Sequence, residues 1–145
     1  MPVTSDQVAT LRSYLSGDFS DYQQRRSQID QAPNRTGYMA LVSAAFCEAV
    51  ERRFARQDPP ERVIEFVADV RGQFDRDGNQ IDPRAAERMI RAVYTDEPID
   101  DLDSATKGRT QIVLLAALVN SEQLDDAGLD AFLADASKLA DQWLA

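Results

Sequence analysis

Apolar residues recur along most of this chain at intervals of three and four, the spacing of one face of an α-helix. The alternation of apolar and polar residues that marks a β-strand is nearly absent. Breaks in the helical pattern coincide with glycine, proline and asparagine, residues that end helices or form turns. The pattern therefore predicts an all-α protein, a single compact bundle of about six or seven helices.

The first predicted helix begins close to the start of the sequence. Ser5 or Asp6 is expected to cap its N-terminus, because both side chains can accept a hydrogen bond from a free backbone N–H. Gly17 is expected to end it, since glycine readily adopts the left-handed conformation of a helix C-terminus. The predicted apolar face of this helix consists of Val8, Leu11 and Leu15.

The second predicted helix is short of apolar residues. Asp18 or Ser20 is expected to cap it, and residues 23–28 (QQRRSQ) are polar on all sides. The run Ala32-Pro33-Asn34 then breaks the chain, since proline and asparagine favour turns. The sparse apolar face of this helix consists of Phe19, Tyr22 and Ile29.

Three helices are predicted in the middle of the chain. The third spans residues 36–56, and residues 58–60 (Asp-Pro-Pro) stop it and start the fourth. The fifth begins at Asp82, with Pro83 in its first turn, where proline is tolerated. The predicted apolar face of the fourth helix consists of Val63, Ile64, Phe66, Val67, Val70 and Phe74.

Two further helices complete the prediction. The sixth spans about residues 104–119, and its run Ile112–Val119 is apolar all round, so we expect it to be the most buried element. Asn120-Ser121 is expected to break it, and Asp125 or Asp126 to cap the last helix. The apolar face of the last helix consists of Leu129, Phe132, Leu133, Ala136, Leu139, Ala140, Trp143 and Leu144.

Length and composition predict one soluble domain over residues 1–145. The chain is 43% hydrophobic and 28% charged, close to the averages of globular proteins. Its longest apolar run is far shorter than the roughly 20 residues that cross a bilayer. The first residues lack the basic and apolar segments of a secretory signal. A lone cysteine, Cys47, suits a reducing compartment, so a cytoplasmic location is expected.

The charge is acidic and unevenly distributed. The net charge is −9, and residues 73–145 carry seven basic and fifteen acidic residues, a balance of −8. Proteins that bind nucleic acids draw much of their affinity from cations that neutralise phosphates. The acidic second half therefore argues against nucleic-acid binding, and against anionic membrane surfaces for the same reason.

Several catalytic chemistries lack the residues they require. The chain has no histidine, so the commonest general base and metal ligand is missing. One cysteine cannot form a zinc finger or ribbon within the chain, and no glycine-rich phosphate-binding motif occurs. No catalytic residue and no cofactor is predicted. An enzyme that uses carboxylates is left open but is not the favoured class.

The turn after the fourth helix is the strongest candidate for cation binding. Residues 72–82 run Gly-Gln-Phe-Asp-Arg-Asp-Gly-Asn-Gln-Ile-Asp, which resembles the start of an EF-hand calcium loop. The loop's sixth position holds Gln80 instead of glycine, and its twelfth holds Ala86 instead of glutamate. The alternative is a polar turn that caps the fifth helix. The predicted ligands of a Ca²⁺ or Mg²⁺ ion are Asp75, Asp77, Asn79 and Asp82.

An acidic segment follows the fifth helix. We name residues 95–103 the acidic connector; its carboxylates belong to Asp96, Glu97, Asp100, Asp101 and Asp103. They either form a solvated loop that caps the sixth helix or bind a basic partner or a cation. Trp143, near the end of the chain, either packs the last helix onto the protein or contacts a partner, since aromatic residues are enriched at interfaces.

These residues favour a protein that acts through protein–protein interaction, as an adaptor, regulator or immunity-type module. The partner would be another protein or a second copy in a homodimer. The alternative is a helical protein that binds a cation or small ligand with the turn Asp75–Asp82 and the acidic connector.

Overall fold

The computed structural model describes residues 2–32, 35–75, 77–78 and 80–145. Its described residues form α-helices and connecting segments and contain no β-strand. The prediction of an all-α fold with six or seven helices is therefore confirmed. The helices are α1 (Ser5–Ser16), α2 (Phe19–Gln31), α3 (Arg35–Arg53), α4 (Pro60–Phe74), α5 (Pro83–Tyr94), α6 (Ser104–Glu122) and α7 (Asp126–Leu144).

The contacts of the chain divide it into two compact units. Unit 1 comprises Met1–Glu48 and Val119–Ala145, and unit 2 comprises Ala49–Leu118. Unit 1 therefore contains α1, α2 and α7, and unit 2 contains α4, α5 and the acidic connector. The sequence of α3 and of α6 is divided between the two units. That residues 1–145 form one domain stays a prediction.

The ends of α1 follow the expected capping chemistry with one change of residue. Thr4, not Ser5 or Asp6, is the N-cap, and its side chain accepts a hydrogen bond from the backbone N–H of Gln7. The Gln7 side chain in turn accepts from the backbone N–H of Thr4, which completes a capping box. Gly17 ends the helix with φ 84°, as expected of a residue without a Cβ atom.

The buried face of α1 is more polar than the sequence pattern predicted. Val8 is only half-buried, whereas Gln7 and Thr10 are each 1% exposed. Thr10 donates a hydrogen bond to the backbone oxygen of Asp6, so its hydroxyl is satisfied in the interior. Gln7 lies against Gly37 of α3. A polar face is tolerated here because its hydrogen bonds are made within the helix and its cap.

Adding a methyl group to Gly37 should destabilise the protein. A Cβ atom there would lie 2.9 Å from Oε1 of Gln7, the atom that holds the cap of α1. We expect Gly37→Ala to lower the free energy of unfolding by about 1 kcal/mol, because the cap is displaced. Gly108→Ala is the matched control, since a Cβ at Gly108 meets nothing within 4 Å. It should raise that energy by about 0.5–1 kcal/mol through helix propensity.

Urea unfolding of the two variants, followed by circular dichroism, checks this difference in sign. A Gly37→Ala protein that is as stable as the control variant would contradict the close packing of Gln7 against α3.

Polar contacts fasten α2 to α1. All residues of α2 are described, and Ile29 is its one buried residue. The hydroxyl of Ser13 on α1 donates a hydrogen bond to the Asp21 carboxylate, and Arg25 donates to the same oxygen at 2.7 Å. The bond from Ser13, followed by the bond from Arg25, holds the pKa of Asp21 below its usual value. Asp18 caps α2, as predicted, by accepting from the backbone N–H of Asp21.

An aromatic and arginine cluster holds the link between α3 and α4. Phe54 follows the last residue of α3, is 4% exposed, and meets the ring of Phe66 edge-on at 5.6 Å. The guanidinium of Arg53 lies 4.8 Å from the centre of the Phe66 ring. Arg62 lies 5.8 Å from the Phe54 ring and pairs with Asp58 at 2.9 Å. The predicted third helix, residues 36–56, was too long at its C-terminal end, since α3 ends at Arg53.

Two predictions about α6 were wrong. The helix does not break at Asn120 and Ser121 but continues to Glu122. It ends there because the next residue, Gln123, takes the left-handed conformation (φ 52°). The expectation that α6 is the most buried element was also wrong: Ile112 and Val113 are only half-buried, and six of its 19 residues are buried against nine of 19 in α3. Asp125 then caps α7, as predicted, by accepting a hydrogen bond from the backbone N–H of Gly128.

Candidate functional site

The turn between α4 and α5 is organised by one buried carboxylate. Asp75 is 4% exposed, and its Oδ2 atom accepts hydrogen bonds from the backbone N–H groups of Gln80 (3.0 Å) and Ile81 (2.8 Å). Its backbone oxygen also accepts from Gly78 at 3.1 Å. Ile81 is itself 3% exposed. Asp75 therefore holds the turn closed and carries Ile81 into the interior.

The other predicted cation ligands differ in their structural roles. Asp77 is exposed, and Asp82 caps α5 by accepting from the N–H groups of Arg84 and Ala85. Asn79 lies outside the described residues. In the part of the chain that the structure describes, no group of three or more acidic or cysteine side chains is arranged to hold a metal ion. Cation binding at this turn stays a prediction.

The acidic connector is held by two arginines of α5. Arg88 forms a bidentate ion pair with Asp101, with N–O distances of 2.9 and 2.7 Å. It also donates a hydrogen bond to the backbone oxygen of Pro98. Arg91 forms a second bidentate ion pair, with Glu97, at N–O distances of 2.9 and 3.2 Å. The bond from Arg88 lowers the pKa of Asp101 to about 2, and the bond from Arg91 lowers the pKa of Glu97.

The remaining connector carboxylates are divided between a cap and the solvent. Asp103 accepts hydrogen bonds from the backbone N–H (2.7 Å) and the hydroxyl (3.0 Å) of Thr106, and these bonds lower its pKa. It thus performs the capping task that the sequence suggested for the connector. Asp96 and Asp100 are exposed to solvent. Of the five connector carboxylates, only those of Asp96 and Asp100 therefore form no ion pair or cap with another described residue.

The ion pairs of the connector should make the protein acid-labile. Carboxylates with a lowered pKa in the folded state contribute stability that is present above their unfolded pKa and is lost as the pH falls through the folded pKa. The ordinary values are 3.8 for Asp101 and 4.5 for Glu97. We expect the melting temperature to fall progressively from about pH 4.5 to about pH 2. Above about pH 5 these carboxylates should contribute little change.

A variant without the arginine separates this effect from general acid unfolding. Arg88→Met should flatten the acid limb of the melting curve, because the pKa of Asp101 then returns towards its ordinary value. Arg84→Met on the same helix is the control, since Arg84 forms no ion pair with another described residue. Equal acid limbs in both variants would contradict a stabilising role for the Arg88 pair.

Trp143 occupies the last turn of α7. It lies seven residues after Ala136 and eleven after Phe132, so helical geometry aligns it with the buried stripe of that helix. It is nevertheless 49% exposed. The neighbouring Asp141 accepts a hydrogen bond from the backbone N–H of Val3 at 2.8 Å, which ties this end of α7 to the N-terminal segment. Trp143 thus packs with one part of its ring and presents the other to solvent.

One surface was not anticipated from the sequence: the outer face of α4. Val63, Phe66, Val67 and Val70 are buried, but Ile64 is 47% exposed. Successive residues of a helix turn by 100°, so Ile64 lies outside the arc that the four buried residues cover. Phe74, at the end of the helix, is 42% exposed. The prediction that Ile64 and Phe74 belong to the buried face was therefore wrong.

Two rows of side chains run along this outer face. Ile64, Ala68 and Gly72 are exposed and spaced by four, so they form an apolar row of one large and two small residues. Glu61, Glu65 and Asp69, also exposed, form a parallel acidic row. We name these six residues the α4 face. Their spacing was visible in the sequence, but the exposure of Ile64 was not.

The acidic row has no counter-charge in the described part of the chain. Neither Glu61, Glu65 nor Asp69 forms an ion pair or side-chain hydrogen bond with another described residue. Like charges four residues apart on a helix destabilise it by about 0.2–0.5 kcal/mol per pair. A Cβ atom at Gly72 would meet no atom of a described residue within 4 Å, so the described residues leave this end of the apolar row uncovered.

A second exposed aromatic surface lies in unit 1. The ring of Tyr14 is 6.3 Å from Phe19 and 5.1 Å from Tyr22, and Phe19 is 58% exposed. Burial raises the pKa of Tyr14 to about 12. A shallow groove of about 300 Å³ continues from Tyr22 along α2. Arg26, which lines the groove, is committed to Asp30 at 2.6 Å and to the ring of Tyr38.

Comparison of the chain with protein-family models, with curated proteins and with solved structures finds no match. Among the described residues, none of the helices combines the length and the apolar character required to cross a bilayer.

Proposed function

We propose that this protein acts by binding another protein, and that the α4 face is its docking surface. One observation carries the proposal. Ile64 is half-exposed beside two small residues, on a helix whose opposite face is buried. Apolar surface left in contact with water gains about 25 cal/mol per Å² when a partner covers it. Small neighbours favour such covering, because they let the partner approach the helix closely.

The other exposed surfaces are less suited to this task. The carboxylates of the acidic connector are largely committed to Arg88, Arg91 and a helix cap. The groove on α2 is lined by polar side chains together with Tyr22, and its arginine is already paired. Releasing committed groups costs free energy that a partner must replace. On the α4 face, the carboxylates form no ion pair with another described residue that a partner would have to break.

Affinity capture from a lysate of the organism that encodes the protein tests the proposal. The bait is the tagged full chain, with the variants Gly72→Leu and Gly108→Leu. A Cβ atom is accommodated at both glycines, so both variants should fold, but only Gly72 lies on the α4 face. We expect one stoichiometric partner with the wild type and with Gly108→Leu, and its loss with Gly72→Leu.

Two results would contradict the proposal. Recovery of no stoichiometric partner by the wild type would speak against protein binding. Equal recovery by all three baits would leave protein binding in place but exclude the α4 face as the surface that mediates it.

A further inference from the structure

The α4 face has the shape of a helix-binding surface. Each of its rows spans nine residues, or about 12 Å along the helix axis, which is about two turns of a partner helix. Rows of residues spaced by four are the ridges that interdigitate when two helices cross at about −50°. Ala68 and Gly72 lower one ridge and permit an interaxial distance near the short end of the usual range, about 8 Å. A partner that binds as an extended strand needs unpaired backbone N–H and C=O groups on the surface that it joins. A helix such as α4 uses these groups within itself, so the α4 face does not offer them.

The acidic row indicates which charge a partner helix should carry. Glu61, Glu65 and Asp69 repel one another in the free chain and form no ion pair with described residues. Lysine or arginine residues spaced by four on a partner helix would lie opposite them in the same register. Covering the apolar row removes water from beside these charges, which strengthens attraction to a cation and repulsion of an anion.

Resting on the proposed function, we propose that the α4 face binds an amphipathic α-helix of a different protein, with lysine or arginine along one edge of that helix's apolar stripe. Ile64 enters the apolar stripe of the partner. The three carboxylates of the acidic row pair with its basic edge. Gly72 is the point of closest approach.

A second copy of this chain fits the surface poorly. In a two-fold dimer through this face, both contacting surfaces are the same, and the α4 face carries three carboxylates and no basic residue. Such a contact desolvates the carboxylates without supplying a cation to pair with them. A dimer through the α4 face is therefore not expected in the absence of a partner.

Synthetic helical peptides test the chemistry directly. One labelled peptide carries leucine and alanine on one face with lysine at every fourth position beside them; the other carries glutamate in place of lysine. Their binding to the full chain is measured by fluorescence anisotropy at physiological ionic strength. We expect the lysine peptide to bind at least about 10-fold more tightly than the glutamate peptide. Gly72→Leu should weaken it by about 10-fold or more, and Gly108→Leu should not.

Charge reversal distinguishes the acidic row from general attraction to an acidic protein. Glu65→Lys should weaken binding of the lysine peptide and at the same time raise the melting temperature of the chain, because two repulsive pairs become attractive. A substitution that only disrupted the fold would lower both the affinity for the lysine peptide and the melting temperature. Asp100→Lys on the acidic connector is the control: it changes the net charge equally and should leave binding nearly unchanged.

Three outcomes would overturn the inference: equal affinity for the two peptides, equal weakening by Glu65→Lys and Asp100→Lys, or a dimer of the free chain that Gly72→Leu dissociates. Capture from lysate separates this failure from failure of the proposed function. If a partner is lost with Gly72→Leu but retained with Glu65→Lys, the α4 face is supported as the docking surface. The same result contradicts the inference that the partner presents a basic helix. The absence of any partner removes the proposed function itself.

Discussion

Replacing Phe54 by alanine is expected to lower the free energy of unfolding by about 3–5 kcal/mol, the largest loss we predict for one side chain. Phe54 is 4% exposed and meets Phe66 edge-on at 5.6 Å. Its removal leaves a cavity bounded by that ring and takes away the aromatic surface beneath Arg62.

Urea unfolding followed by circular dichroism measures this loss. Phe74→Ala is the matched control, since Phe74 belongs to the same unit and is 42% exposed; its loss should be below about 1 kcal/mol. Phe54→Leu retains most of the volume and should cost about 1–2 kcal/mol. If Phe54→Ala and Phe74→Ala were equally stable, the cluster of aromatic and arginine side chains would not hold this link.

The second large effect is expected at Asp75. Asp75→Ala should lower the free energy of unfolding by about 2–4 kcal/mol, because the N–H groups of Gln80 and Ile81 lose their acceptor. The N–H of Ile81 is buried, so removal of the carboxylate takes away the acceptor that satisfies it in the interior. Asp75→Asn retains one acceptor oxygen and should cost less. The same denaturation experiment measures both variants.

Asp77 offers the control within the same turn. It is exposed, so Asp77→Ala should change the free energy of unfolding by less than about 0.5 kcal/mol. A cation site at this turn would instead make stability depend on both carboxylates and on the concentration of calcium. Equal losses from Asp75→Ala and Asp77→Ala would therefore contradict the purely structural role of Asp75.

The fold class could be predicted because it depends on local properties of the chain. The capping residues Asp18, Asp82 and Asp125 each accept the hydrogen bond that the sequence suggested. Helix ends without a side-chain cap were harder to locate. The break predicted at Asn120 lies inside α6, because a residue of modest propensity continues a helix when neighbouring residues are well packed.

The candidate sites could be predicted only in part. The sequence indicated the connector carboxylates as candidates for a partner or cation, and that role stays a prediction. Their pairing with Arg88 and Arg91 depends on how α5 lies beside the connector. In the same way, Ile64 was assigned to the core because apolar residues at helical spacing usually are. Whether a side chain at the edge of an apolar arc is covered depends on its neighbours in space, which periodicity does not describe.

What the sequence determines by itself is therefore what lies within a few residues: helix type, turns, caps, the absence of histidine and the acidic balance. These follow from hydrogen bonds and dihedral preferences between near neighbours. The tertiary structure decides which carboxylates are committed and which apolar residues remain exposed. Burial and charge pairing join residues distant in sequence, so Asp75 is buried as the acceptor that stabilises its turn, whereas Ile64 of the α4 face remains exposed.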